Sequence, residues 1–227
     1  MAELEIIGGP QSNFVWAVCT ALAEKGVPYK LTAVMPHTAE VDCIHPLGKI
    51  PVMRHGDFTL CESRAIIGYV DSVFAGPKLF PADPKVAARI EQWISLVCTA
   101  IDVTGFRPYV AGYVFPRTAD GSPDRAQIEG ALPKLEQYLK LVDKAVATGH
   151  LVGDSFTLAD AYLFPIVFYL RRMPESGQMI ESAKSIVPYI ERHRVRPSVR
   201  DNIPPPLPGR KDVYKADREA AFAASAA

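Results

Sequence analysis

A chain of 227 residues is long for one domain and short for three, and 25 basic against 25 acidic side chains leave a formal net charge of +0. That balance excludes a surface built to attract nucleic acid or an anionic membrane, and two domains with a sizeable core are expected. The start, MAELEII, lacks the basic and apolar regions of a secretory signal, and the longest uncharged apolar run, Ala161 to Leu170, is too short to span a bilayer. A cytoplasmic protein with no nucleic-acid or membrane partner is expected.

The first 75 or so residues alternate in pattern. LEII reads as a short buried strand, and Ser12 to Lys25 reads as a helix with Val15, Val18, Cys19 and Leu22 at i, i+3, i+4, i+7. Gly26 ends it, and a second strand begins near Tyr29, which predicts a right-handed βαβ unit with parallel strands. PVMR and FTLC then flank HGD, a tight turn that predicts an antiparallel hairpin. A helix from about Ser63 carries Ile66, Tyr69, Val70, Val73 and Phe74 on its apolar side. The expected N-terminal domain, residues 1–76, is a small mixed sheet with helices packed on it.

FAGPKLFPADP reads as a linker. Beyond it Val86, Ile90, Trp93, Ile94, Val97, Cys98 and Ile101 trace one face of a long helix, and Ile128, Leu132, Leu135, Leu139, Val142 and Val146 trace another. An all-helical domain over 84–206 is predicted, with Pro108 and Pro133 kinking or ending helices. Thr157, Asp160 and Phe156 form a capping box with a hydrophobic staple. Residues 207–227, rich in proline, charge and then alanine, read as a tail that wraps the surface or is partly disordered. The four cysteines, Cys19, Cys43, Cys61 and Cys98, have no C-x-x-C pairing and no metal spacing, so they read as reduced core thiols and no metal site is expected.

The chemistry concentrates in GKIPVMRHGDFTLCESRA, residues 48–65. A proline opening an antiparallel strand loses no ladder bond when its nitrogen faces outward. With a cis bond before Pro51, the Ile50 backbone groups face open space, where a ligand's peptide can pair with them. Glu62 and Ser63 stand at a helix start, whose free N–H groups and dipole suit a carboxylate while Glu62 suits an ammonium. Lys49 suits a second carboxylate. Each feature alone also reads as ordinary: a strand-edge proline, a serine cap with an early acid, a solvated lysine. Together they fit a small peptide with a carboxylate at one end and an amino acid head at the other.

HPLGKIPVM, ESRAI, TLAD and the later RPSV resemble, in the right order, the motifs of the cytosolic glutathione transferase superfamily, and the resemblance runs over about residues 4–203. It implies a thioredoxin-like glutathione-binding domain, a helical domain that holds a hydrophobic electrophile, and a homodimer. It further implies that Lys49, Ile50, Glu62 and Ser63 bind glutathione and that Pro51 is the cis proline. His45 departs from the family's asparagine, which bears on a loop hydrogen bond. The segment around Ser12 is similar to that of the serine-type transferases, notably the phi class.

A free thiol with a pKa of about 8.5 is mostly protonated at neutral pH, so the enzyme must stabilise the nucleophilic thiolate. Ser12 is the candidate donor to the sulfur, with the Asn13 amide beside it; the alternative is Ser12 as a plain cap. Cys19 competes as a nucleophile in reductase-like chemistry, against its place on an apolar stripe. His37 lies where the phi class puts a basic residue on the glycine end of glutathione. Ile101, Phe106, Tyr109 and Tyr113 are candidates for an apolar electrophile pocket. The expected function is conjugation of glutathione, a co-substrate, to an electrophile. The rivals are another glutathione-dependent enzyme (isomerase, dehalogenase, peroxidase or disulfide reductase) and a transferase-like interaction module without chemistry.

Overall fold

The computed structural model describes residues 3–206 and 214–225, which group into two compact units. The first holds residues 3–82 with 194–206 and 214–225; the second holds Asp83–His193. The expected helical domain ran to 206, whereas residues 194–206 group with the N-terminal unit.

In the first unit, four short strands make one sheet in the order β2-β1-β3-β4: β1 (Leu4–Ile7), β2 (Lys30–Thr32), β3 (Val52–His55) and β4 (Phe58–Cys61). β1 and β2 are parallel and the other two pairings are antiparallel, so the fold is the expected βαβ unit joined to a hairpin. Helix α1 (Asn13–Lys25) starts at Ser12, whose Oγ accepts from Val15 N at 3.4 Å, and ends at Gly26 in the left-handed conformation. Its apolar stripe buries Val15, Val18, Cys19 and Leu22 to 2% exposure or less. A single turn, α2 (Ala39–Asp42), and α3 (Ser63–Val73) complete the N-terminal part.

Two ion pairs, one buried and one part-exposed, fasten α1 within this unit. Lys25 Nζ, fully buried, lies 2.9 Å from Asp71 Oδ1 on α3 and donates to Pro77 O at 3.1 Å. Glu24 accepts both arms of Arg196, at 2.5 and 2.7 Å, and the Ser198 hydroxyl. The RPSV stretch thus clamps the short helix α10 (Pro197–Arg200) onto α1 with charge-assisted bonds. The alanine-rich end, expected as a tail that wraps the surface or is partly disordered, forms helix α11 (Lys215–Ser225) over its described part. Arg218 donates to Pro204 O at 2.8 Å and the Arg200 guanidinium sits 4.6 Å over the Phe222 ring, so α11 has tertiary contacts that composition alone does not reveal. The remainder of that expected tail, 207–213 and 226–227, lies outside the described residues.

The second unit is helical: α4 (Pro84–Leu96), a π-helical segment Val97–Phe106, α5 (Arg107–Val114), α6 (Arg125–Ala145), α7 (Leu158–Leu170), α8 (Pro174–Glu181) and α9 (Ile186–Arg194), whose last residue groups with the first unit. The single long helix expected after the linker is therefore three consecutive pieces. Pro108 sits at the start of α5, where its missing N–H costs little. Pro133, expected to kink or end its helix, lies inside an unbroken α6 on an exposed position, where water can satisfy the freed carbonyl. Helix α7 is buried along its whole length and centres this core. At its start Asp160, 0% exposed, accepts from Thr157 N, the Thr157 hydroxyl, Leu151 N and the Tyr189 hydroxyl, at 2.8 to 3.1 Å.

Candidate functional site

The strand register gathers the candidate residues at one end of the sheet. Ile7, Val52 and Cys61 pair across it, and each stands next to a candidate segment: Gly8–Asn13 after β1, Lys49–Pro51 before β3, and Glu62–Ser63 after β4. His37 follows β2, at the same end as β1 because those strands are parallel. An open sheet presents ligands with the loops beyond its strand ends, and here four such loops converge.

Gly8 is the joint between them. A Cβ there would stand 2.7 Å from Val15 Cγ2 and 3.0 Å from Ile50 Cβ, so only glycine lets the Ser12 loop lie against Ile50. The Ile50–Pro51 peptide bond is cis. Ser12 N donates to Gly9 O at 3.0 Å, which closes the turn into α1. With Val15 N–H on one lone pair, the Ser12 hydroxyl, half-buried, still has its proton to donate. Capping and donation to a thiolate are compatible roles for it. Asn13 is the first residue of α1 and half-buried.

Glu62 is the N-cap of α3, with φ 71°, a region side chains rarely adopt, and Ser63 is the first helical residue, 9% exposed. The Glu62 carboxylate is 69% exposed, and its ion-pair partner among the described residues is His45, at 3.4 Å from Nε2 to Oε1. Lys49 is exposed and has no ion-pair partner among the described residues. His37, at φ 60°, is exposed and tied to the same loop: its N–H donates to Gly48 O at 2.9 Å, and its Nδ1 is 4.0 Å from Asp42 Oδ1. Gly48, at φ 62°, has no room for a side chain, since a Cβ would come within 2.2 Å of His37 Nδ1. An open carboxylate, an open ammonium, a buried serine at a helix start and a proton-bearing serine thus face one region, an arrangement able to hold both ends of a small zwitterionic peptide.

Cys19 does not join them. It is 2% exposed inside α1, and burial pushes its thiol up to about 11 against the opposing hydrogen bond of Tyr29. A thiol so raised stays protonated at neutral pH and is a poor nucleophile. Ile101, Phe106 and Tyr109, candidate pocket walls, are packed inside the helical unit at 6% exposure or less, and Tyr113 is half-buried. The Tyr109 and Tyr113 hydroxyls donate to Glu175 Oε2 at 2.9 and 2.6 Å, while Arg125 holds Oε1 at 2.8 Å. These tyrosines serve a structural network.

The sequence flagged His45 only as a departure from the family pattern. In the structure it is 3% exposed, its Nδ1 accepts from Leu47 N at 3.0 Å, and its other nitrogen faces Glu62. The loop hydrogen bond in question is therefore made by the imidazole. Gln11 was not singled out at all; its amide donates to Pro205 O at 3.0 Å and ties the loop before Ser12 to the C-terminal segment. Among the described residues there is no group of three or more potential metal ligands, and no helix is long and apolar enough to cross a membrane.

Two family models match, glutathione S-transferase N-terminal domain over residues 7–78 and glutathione S-transferase C-terminal domain over 125–197. Glutathione S-transferase 3 of Zea mays is 35% identical over 173 residues, covering 71% of this chain and 75% of the relative. A stringent starvation protein A homolog of Haemophilus ducreyi is 31% identical over 195 residues, covering 80% and 81%. The crystal structure of poplar glutathione transferase F1 superposes with a TM-score of 0.78 at 26% identity, covering 89% of this chain and 97% of that one. A thioredoxin-like sheet followed by a helical unit, each matched by its own model, leads to one assignment: the chain belongs to the glutathione S-transferase family.

Proposed function

We propose that the chain is an active transferase that binds glutathione at the converging sheet end and adds its sulfur to a hydrophobic electrophile. The observation that carries this reading is that Glu62 and Lys49, opposite in charge and exposed, stand with Ser63 at the sheet end that Ser12 enters. In this assignment Glu62 meets the amino acid head's ammonium and the Ser63 hydroxyl with the first N–H groups of α3 takes its carboxylate. The Ile50 backbone, positioned by Pro51, pairs with the peptide. Lys49 and His37 meet the far carboxylate.

Ser12 carries the chemistry. Its hydroxyl donates to the sulfur and, with Asn13 and the N-terminus of α1, favours thiolate over thiol; each unit of lowered thiol pKa corresponds to about 1.4 kcal/mol. The rest is proximity of the thiolate to the electrophile. No metal has a role. The working form is a cytoplasmic homodimer. A non-catalytic reading draws on the stringent starvation protein A homolog, whose name denotes no transferase.

The test is calorimetric titration of glutathione into the wild type and Ser63→Ala, with the ultraviolet thiolate band of bound glutathione recorded for wild type and Ser12→Ala. We expect tight binding weakened by Ser63→Ala, and a Ser12→Ala protein that binds but loses the band, with conjugation reduced about 100-fold or more. No binding to the wild type would sink the transferase reading in favour of an interaction module. Retention of the band in Ser12→Ala would remove Ser12 from its role alone.

A further inference from the structure

We infer that His45 is a positioning residue that sets the Glu62 carboxylate for the ligand's ammonium; this rests on the ligand assignment just proposed. His45 is buried in the loop between α2 and β3, with its two nitrogens committed to different neighbours. Nδ1 accepts the Leu47 N–H at 3.0 Å, so the neutral ring carries its proton on Nε2. Nε2 stands 3.4 Å from Glu62 Oε1. One nitrogen therefore fixes the ring to its loop, and the other lies beside the carboxylate.

Glu62 needs such a support. Its backbone is held at φ 71° and ψ 115°, its side chain makes no capping bond in α3, and it is 69% exposed. A conformation of that kind persists only where the surroundings over-determine it. An exposed glutamate also samples several rotamers, and ordering it on ligand binding costs entropy. A rigid, buried ring beside one carboxylate oxygen narrows those rotamers beforehand, so that less ordering is left for the ligand to impose.

Two substitutions separate the two nitrogens. Asparagine places its terminal atoms near Nδ1 and can keep the Leu47 bond, yet falls short of Glu62. Glutamine reaches the Nε2 position and can donate to Glu62, yet leaves Leu47 N–H without its acceptor. Glutathione would be titrated calorimetrically into wild type, His45→Asn, His45→Gln and Glu62→Ala, with His45→Asn repeated in the Glu62→Ala background and thermal melts recorded for all.

His45→Asn should melt near wild type but bind glutathione about three- to tenfold more weakly. His45→Gln should melt lower and bind within about twofold of wild type. In the Glu62→Ala background His45→Asn should have no further effect on affinity. For conjugation, the His45→Asn loss should fall on KM for glutathione rather than on kcat. Equal weakening by His45→Asn with and without Glu62 would make His45 merely structural and overturn the inference, as would wild-type affinity in His45→Asn. Should His45→Gln fail to fold, the Glu62 cycle still decides. Absence of binding by the wild type itself would remove the ligand assignment and this inference together, an outcome read without any variant.

Discussion

Glu62 in the N-terminal unit and Asp160 and Glu175 in the helical unit are carboxylates near helix starts with opposite surroundings. Asp160 is fully buried and accepts four hydrogen bonds, and Glu175 is held by Tyr109, Tyr113 and Arg125. Glu62 stands mostly in solvent beside one histidine nitrogen, on a backbone at φ 71°. A carboxylate saturated by its own protein stabilises the fold and has nothing left for a ligand. One left open contributes little to the fold and retains its acceptor capacity. On the reading proposed for Glu62, this difference separates a structural acid from a binding one.

The comparison breaks if substitution affects the wrong property. Asp160→Ala strands the buried Leu151 N–H, Thr157 N–H and Tyr189 hydroxyl, so the urea midpoint should fall by the equivalent of about 3–5 kcal/mol. Unchanged stability would show that the network is not the anchor of α7. Glu62→Ala should do the reverse. Its melting temperature should stay close to wild type, while the lost charge-assisted contact to the ligand weakens glutathione binding about 10- to 100-fold by calorimetry. A variant that unfolds but binds normally when folded would place Glu62 among the structural acids.

How much of this was legible follows from how far apart the interacting residues lie in sequence. The sheet order, α1 and the start of α3 could be read because strand alternation, the Ser12 cap and the HGD turn are all local signals. The candidate site was legible in its residues but not its geometry. His45 and Glu62 meet across a loop and a hairpin, and nothing near either position announces the partner. Glu24 and Arg196 are 172 positions apart. The π-helical segment was hidden because Val97, Cys98 and Ile101 keep spacings of one and three that suit an α-helix equally well. Helix α11 was obscured by composition: alanine favours helix, but proline and charge before it read as a surface-wrapping or partly disordered tail, and the burial of Ala221 with the contacts of Arg218 and Phe222 shows that it packs.

Glu175 offers a pH test of the saturated class. Burial, the largest single influence, raises its pKa, but the hydrogen bonds from Tyr113, Arg125 and Tyr109 outweigh it and bring the carboxyl down to about 2. A depressed folded-state pKa means stability that is fully present above the unfolded value of about 4.3 and is lost as pH falls toward the folded one. The melting temperature of wild type should therefore exceed that of Glu175→Gln at pH 7, and the gap should narrow between about pH 4.5 and 2. A gap that is constant across this range would mean that the carboxylate charge contributes nothing beyond the shape of the side chain.

The smallest effect should come from Cys19→Ala, which asks whether the sheet end or the thiol on α1 carries the chemistry. The thiol is packed among Val15, Val18 and Leu22 and pushed up to about 11 by burial, so its removal takes away no nucleophile. Losing one buried sulfur should lower stability by about 1 kcal/mol. Conjugation by the folded enzyme should stay within about twofold of wild type, because no interaction made only in the transition state is removed. Thiol labelling gives an independent check: the exposed Cys43 should react promptly in the native protein and Cys19 only after unfolding. Loss of turnover in Cys19→Ala with retained glutathione affinity would move the chemistry from a serine that stabilises the ligand's thiolate to a protein thiol. The binding roles proposed for Glu62 and Ser63 would stand in either case, since neither depends on which sulfur reacts.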